Sequence, residues 1–126
     1  MSSVQRYLII GALLGFLTVA LGAFGAHGLK NLLSTDMLVV YNKAVHYQGL
    51  HTLGLLITGL LLREQALPHL RWAARLFTLG ILLFCGSLYF LAITQNRMLG
   101  AITPLGGLSF LGGWLFLAMG CWKAGK

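Results

Sequence analysis

The side chains in this sequence that could do chemistry are mainly histidines near the ends of apolar segments. His46 and His51 lie in the first half of an uncharged segment, and His27 directly follows another. Imidazoles at these positions could bind a metal or haem, or carry protons. His46 and His51 are five residues apart, which is about 140° around a helix, so they cannot share one ion as an i, i+4 pair does. No second axial haem ligand is evident opposite His51.

Other catalytic groups are scarce in the chain. Asp36 and Glu64 are its two acids, and both fall between apolar segments, so no carboxylate pair is available for acid–base chemistry. Cys85 and Cys121 lie in different apolar segments, without the spacing of a metal site or a disulfide framework. We therefore expect no catalytic residue, no metal and no cofactor. A haem-binding, metal-binding or lipid-modifying membrane enzyme stays open as an alternative.

The elements that must position these side chains are four long apolar segments. Of the 126 residues, 58% are hydrophobic and only 9% are charged, against about 25% charged residues in soluble domains. Uncharged segments cover 7–26, 44–62, 76–94 and 103–122, each close to the ~20 residues with which a helix crosses a bilayer. We predict an all-α integral membrane protein with one domain, 1–126, of four transmembrane helices.

The charges predict how these helices are oriented. The net charge of +7 comes from cations scattered between apolar segments, which favours membrane lipids rather than nucleic acid as partners. With both termini inside, six cations lie on the inner side and three on the outer side: Arg6, Arg63, Arg71, Arg75, Lys123 and Lys126 inside, and Lys30, Lys43 and Arg97 outside. The positive-inside rule therefore predicts an N-in/C-in topology. Tyr7, Trp72 and Trp122 then form an aromatic belt at the inner interface.

The stretch between the first two segments is amphipathic rather than fully polar. Apolar residues recur at helical spacing over 29–41, and Ser34 or Thr35 could cap a helix. We predict an interfacial helix start on the outer side that continues into the second segment, and a short polar turn over 63–75. The first segment is longer than the apolar part of a usual signal peptide, which argues against cleavage. The first two segments contain no charge, which argues against a hairpin that only half inserts into the membrane.

Counting residues from the outer boundary places polar side chains from three helices at one depth. His51, Tyr89 and Ser109 each lie five to seven residues inside that boundary, which is about 8–10 Å at 1.5 Å per residue. Three others would cover them from the outside: His27, Gln48 and Thr103. Because polar groups at membrane depth usually face the bundle interior, this outer-side polar layer is the candidate site. His51 could hydrogen-bond Ser109, Tyr89 or a backbone carbonyl, take part in transport, or hold a cofactor.

Glycines account for 17 residues and follow helical stripes. Gly11, Gly15 and Gly22 share one face of the first segment, and Gly106 and Gly113 share one face of the last. Small residues let helix backbones approach closely in lipid, so we expect these faces to pack helices. Because four short helices enclose little interior, we also expect a homo-oligomer through the glycine faces. An unidentified membrane partner is a further alternative.

Several stretches of the sequence are familiar as a set. They are GAFGAH at 22–27, YQGLHTL at 47–53, GSLY at 86–89, and TPLGG at 103–107 followed by FLGGW at 110–114. In this order they resemble the YgdD/YwdK-like family of small multi-pass inner-membrane proteins, a domain-of-unknown-function family with mitochondrial relatives. The resemblance covers nearly the whole chain. It implies a multi-pass protein of the bacterial inner membrane, and it carries over no established activity, substrate or catalytic residue.

Two main functional hypotheses arise from these observations. The first is a non-enzymatic structural or accessory membrane component, because packing motifs are abundant and no catalytic constellation is found. The alternative is a small transporter or channel that uses the outer-side polar layer around His51. That alternative needs a continuous path to the inner side, and the aliphatic second half of segment 44–62 argues against an open pore, although a dry constriction can be a gate.

Overall fold

The computed structural model describes residues 1–125, which form four long helices. Helix α1 spans Ser3–His27 and helix α2 spans Thr35–Glu64. Helix α3 spans Pro68–Thr94 and contains a π-helical turn at Ile81–Cys85. A 3₁₀ helix at Arg97–Ala101 then leads into helix α4, which spans Thr103–Ala124. The described part of the chain has no β-strand, so the predicted all-α class is confirmed.

Local sequence explains where α2 and α4 begin. The backbone N–H of Met37 donates to Ser34 Oγ at 3.2 Å, which confirms the predicted cap. Pro104 lies in the first turn of α4, where a backbone N–H donor is not needed. α2 has 30 residues and is therefore about 45 Å long. It runs without a break from the amphipathic stretch into the second apolar segment, as the sequence predicts.

The predicted polar turn over 63–75 is too long. α3 begins at Pro68, so three residues separate it from the end of α2. Its first turns are amphipathic, with Leu70 buried and both Trp72 and Arg75 exposed. The Arg75 guanidinium carbon lies 5.1 Å from the centre of the Trp72 ring. The charges that suggested a turn therefore lie on the exposed side of a helix.

Helix α2 lies at the centre of the fold and α1 at its edge. Eleven residues of α2 are buried, whereas only Gly11 and Gly25 are buried in α1. α1 packs chiefly against α2, α4 packs chiefly against α3, and α2 and α3 pack against each other. The core contains Leu55 of α2, Phe77 of α3 and Phe110 of α4. The molecule is therefore two helical hairpins joined along α2 and α3.

The glycine faces are occupied by contacts within the chain. A Cβ added at each of the five predicted positions would lie closest to a residue of a neighbouring helix: Leu56 at Gly11, Thr52 at Gly15, Val45 at Gly22, Phe84 at Gly106 and Phe77 at Gly113. Close helix approach in lipid depends on small residues of this kind. An oligomer through these faces would compete with the fold itself, so a second copy would have to use another surface.

By length and composition, three helices could cross a membrane: α1, α3, and α4 together with its 3₁₀ extension as Arg97–Ala124. α2 is long enough but less apolar, because His46, Gln48 and His51 lie near its middle. The stretch over 54–62 that follows is almost purely aliphatic. A fourth span through α2 therefore stays a prediction.

Candidate functional site

Gln48 connects three helices near the middle of α2. It is 3% exposed and uses both ends of its amide. Its Nε2 donates to the Leu14 carbonyl of α1 at 3.2 Å, and its Oε1 accepts from the Tyr89 hydroxyl of α3 at 2.7 Å. Two turns earlier in α2, Tyr41 packs edge-on against Tyr89 and donates to the Leu21 carbonyl. These bonds fix α2 between α1 and α3.

Hydroxyl groups make a second set of contacts between α3 and α4. Ser87 Oγ donates to the Phe84 carbonyl at 2.9 Å and lies 2.7 Å from Thr103 Oγ1. Because a serine hydroxyl has one proton, Thr103 must donate to Ser87. Further along α4, Ser109 Oγ donates to the Leu76 carbonyl at 2.7 Å. The hydroxyl groups of Thr103 and Ser109 thus hold α4 against α3.

His51 points toward α3 and α4. It is 2% exposed, and its Nδ1 lies 2.7 Å from the Tyr47 carbonyl one turn earlier. A carbonyl only accepts hydrogen bonds, so Nδ1 carries the proton and the neutral ring has a free lone pair on Nε2. The imidazole stacks on Phe110, with ring centres 3.5 Å apart and 9° between the planes. Nε2 has no hydrogen-bond partner within residues 1–125.

An open groove of about 620 Å³ lies beside His51 between α2 and α4. Aromatic and aliphatic side chains form most of its lining: Tyr47 and Leu50 of α2, Phe84 of α3, and Phe110 and Trp114 of α4. Leu50 and Leu108 at its rim are 45% and 66% exposed. If α2 crosses the membrane as predicted, these exposed leucines face lipid and the groove opens sideways toward the bilayer.

The π-helical turn of α3 forms the inner wall of this groove. Phe84 lies within the turn, and its backbone touches Gly106 so closely that any Cβ there would collide with it. Glycine permits this approach because it has no side chain. The Phe84 ring then lies 4.8 Å from the Tyr47 ring and 5.4 Å from the Phe110 ring, measured between centres. Single π-helical turns often occur at functional sites.

The six predicted polar residues do not form one connected layer. His27 is exposed at the end of α1 and, among the described residues, makes no hydrogen bond or ring contact with His51. Ser109 and Tyr89, two partners considered for His51, bond to other groups. His51 bonds to its own helix instead, because a carbonyl one turn earlier is always within reach. Within residues 1–125, Gln48 and Tyr89 are the one pair of the six that bond to each other.

Four aromatic residues around His51 were not anticipated as part of the site: Phe77, Phe84, Phe110 and Trp114. Phe77 and Phe84 are seven residues apart, and Phe110 and Trp114 are four apart, so each pair shares a helix face. Trp114 packs edge-on against Phe77 at 4.8 Å. Aromatic spacing on the two helices facing α2 was therefore the sequence signal for this cluster.

The groups at the site are suited to binding. Within residues 1–125, no three His, Cys, Asp or Glu side chains come together as a metal site would require. His51 offers one hydrogen-bond acceptor, and the Trp114 indole offers one donor. An acceptor and a donor in an otherwise apolar groove can orient a small polar head group.

The fold and this site define a small helical membrane protein with a groove on one side. The chain belongs to the family described as Protein of unknown function (DUF423), which its residues 21–107 match. This confirms the resemblance found in the sequence.

The relatives are membrane proteins of similar length. A UPF0382 membrane protein of Staphylococcus haemolyticus is 49% identical over 94% of this chain and 97% of its own length. One from Staphylococcus aureus strain bovine RF122 is 44% identical, over 94% of this chain and 97% of its own length. YwdK, a UPF0382 membrane protein of Bacillus subtilis, is 41% identical over 93% of this chain and 96% of its own length. No solved structure matches the chain.

Proposed function

We propose that the protein is a non-enzymatic accessory component of the bacterial inner membrane. The observation that carries this proposal is that four of the six polar side chains of the candidate site bond to a neighbouring helix. Gln48 bonds to α1 and α3, and Thr103 and Ser109 bond to α3. Side chains used in this way hold helices in register, and they are then not free to line a path for a solute.

The proposed topology has four spans, with both termini in the cytoplasm. α2 is the fourth span, because its polar side chains Gln48 and His51 are buried against other helices, whereas Leu53 and Ile57 are 61% and 51% exposed. A helix with buried polar groups and an apolar outer face fits the bilayer. The positive-inside rule supports the orientation, since more cations lie on the side of the termini.

A transport assay separates the accessory role from the transporter alternative. Purified protein is reconstituted into liposomes, and fluxes of protons, potassium and glycerol are compared with those of empty liposomes. We expect no added flux, because Gln48, Thr103 and Ser109 are bonded to neighbouring helices. A flux carried by the wild type and abolished by His51→Ala, but kept by the exposed control His46→Ala, would contradict the accessory role and support transport.

The homo-oligomer we propose would form through the outer face of α1. α1 packs chiefly against α2 and leaves Leu13, Phe16 and Val19 60%, 71% and 74% exposed. Disulfide cross-linking in membranes tests this, in a Cys121→Ser background because Cys121 is exposed. Phe16→Cys should give dimers, and Leu115→Cys, equally exposed on α4 at 65%, should not. Equal cross-linking of both variants would indicate random collision and contradict this interface.

A further inference from the structure

His51 combines near-complete burial with an unused hydrogen-bond acceptor. Its Nδ1–H donates a hydrogen bond to the Tyr47 carbonyl, and its Nε2 lone pair has no partner within residues 1–125. Nε2 is not among the fully buried unpaired atoms of residues 1–125, so it is accessible from the groove that His51 lines. An unpaired acceptor is unfavourable where the groove holds lipid, because no water replaces the missing partner. Protonation would make Nε2 a donor, but a charged imidazole is costly at membrane depth. A donor from a molecule in the groove would satisfy Nε2 of the neutral ring.

The indole N–H of Trp114 is a second polar group in the same groove. The centre of the Trp114 ring lies 5.7 Å from the centre of the His51 ring. Among the described residues, this N–H has no hydrogen-bond acceptor. The residues that line the groove therefore include one unpaired acceptor and one unpaired donor. A hydroxyl group complements both, because it donates its proton and accepts through a lone pair.

The aromatic and aliphatic residues that line the rest of the groove favour a ligand with a flat head group and an apolar tail. The rings of Tyr47, His51 and Phe110 are parallel to within 12°, and Phe84 lies beside them. A flat ring gains stacking and edge contacts with aromatic side chains that an alkyl chain does not. The rim at Leu50 is exposed, so a tail attached to the ring can leave directly into lipid.

We propose that the groove between α2 and α4 binds a lipid-soluble quinol. One ring hydroxyl of the quinol donates to His51 Nε2 and accepts from the Trp114 N–H. The oxidised quinone has carbonyl oxygens only, so it keeps the bond to Trp114 and loses the bond to His51. The site therefore prefers the reduced form. Binding involves no electron transfer by the protein, and it does not depend on the accessory role.

Nitrogen NMR of the histidines tests the bond to Nε2 directly. Protein labelled with ¹⁵N at histidine is placed in phospholipid nanodiscs, and the His51 resonance is assigned from its loss in His51→Asn. Decylubiquinol should move the Nε2 resonance upfield, as hydrogen bonding to an unprotonated ring nitrogen does. Decylubiquinone should move it much less. An unmoved resonance, or equal shifts from both redox forms, would overturn the proposal.

Variants test which groups recognise the ligand. Decylubiquinol should raise the unfolding temperature of the wild type and of His46→Asn, whose side chain is exposed and outside the groove. His51→Asn keeps a side-chain donor near the position of Nδ1 but lacks Nε2, and its affinity should be about three- to tenfold weaker. Trp114→Phe keeps the aromatic packing and should weaken binding similarly, which preserves the test if His51→Asn does not fold. Unchanged affinity in the folded variants would overturn the proposal.

Binding of decanol tests whether the site recognises the ring of the head group or only a hydroxyl on an alkyl chain. It carries a hydroxyl and a tail of the same length as decylubiquinol but no ring. We expect it to bind the wild type at least about tenfold more weakly, because it makes no contacts with the aromatic walls. Equal binding of decanol would overturn the assignment of a quinol.

Discussion

Replacing Gly106 with alanine tests the contact that positions the inner wall of the groove. The added Cβ would lie 2.7 Å from both Cα and Cβ of Phe84, which is far inside normal van der Waals distance. Because Cα belongs to the backbone, no rotamer change relieves the collision. α4 or the π-helical turn of α3 must move instead. Gly107 provides a control in the same turn of α4, because its added Cβ would lie 4.0 Å from Phe84 Cδ2.

The magnitude follows from comparing the two variants. Glycine to alanine within a helix stabilises by roughly 0.5–1 kcal/mol, and this gain applies to Gly106 and Gly107 alike. Overpacking of a rigid contact destabilises by about 1–3 kcal/mol, and it applies to Gly106 alone. We therefore expect Gly106→Ala to be about 1–3 kcal/mol less stable than Gly107→Ala. Gly107→Ala should be at least as stable as the wild type.

Equilibrium unfolding in mixed micelles, followed by circular dichroism as the denaturing detergent is increased, measures this difference. The free energy of unfolding is compared for the wild type and the two variants under identical lipid-to-detergent ratios. If Gly106→Ala is as stable as Gly107→Ala, then α3 and α4 do not approach as closely as described, and the explanation of the groove wall is refuted.

Three further predictions concern the polar contacts, the cysteines and the topology. A double-mutant cycle of Gln48→Leu and Tyr89→Phe should give a coupling energy of about 0.6 kcal/mol, the usual value for hydrogen bonds between membrane helices. A coupling energy of zero in the unfolding assay would contradict the hydrogen bond at 2.7 Å. A maleimide should label Cys121, which is exposed, and leave the buried Cys85 unlabelled until the protein is unfolded. Mass spectrometry of each cysteine-containing peptide measures the labelling. Equal labelling of both cysteines in the folded protein would contradict the packing of α3. Green fluorescent protein fused after Lys123 should fluoresce, and alkaline phosphatase fused after Arg97 should be active, because we propose that these positions lie on opposite sides of the membrane; the reverse pattern would contradict the N-in/C-in orientation.

The sequence predicted how far along its helix a residue lies better than it predicted which neighbouring helix the side chain faces. Residue counting placed Gln48 and Tyr89 near one level, and their side chains do meet, because rise per residue is nearly constant in any helix. It could not identify the partner of His51, since that depends on which neighbour each helix face meets. The start of α3 at Pro68 was missed for a related reason. Charges on one face of an amphipathic turn look like a loop when read along the chain.

The pairing of helices into two hairpins has a consequence for biosynthesis. α1 and α2 pack together as consecutive elements, and so do α3 and α4, so each contact forms soon after its second helix has left the ribosome. Three residues connect the hairpins, between Glu64 and Pro68. The interface of α2 with α3 consists of contacts between side chains, including the bond from Tyr89 to Gln48. Two separately expressed fragments, divided within that connection, should therefore insert independently and assemble in the membrane into the intact fold.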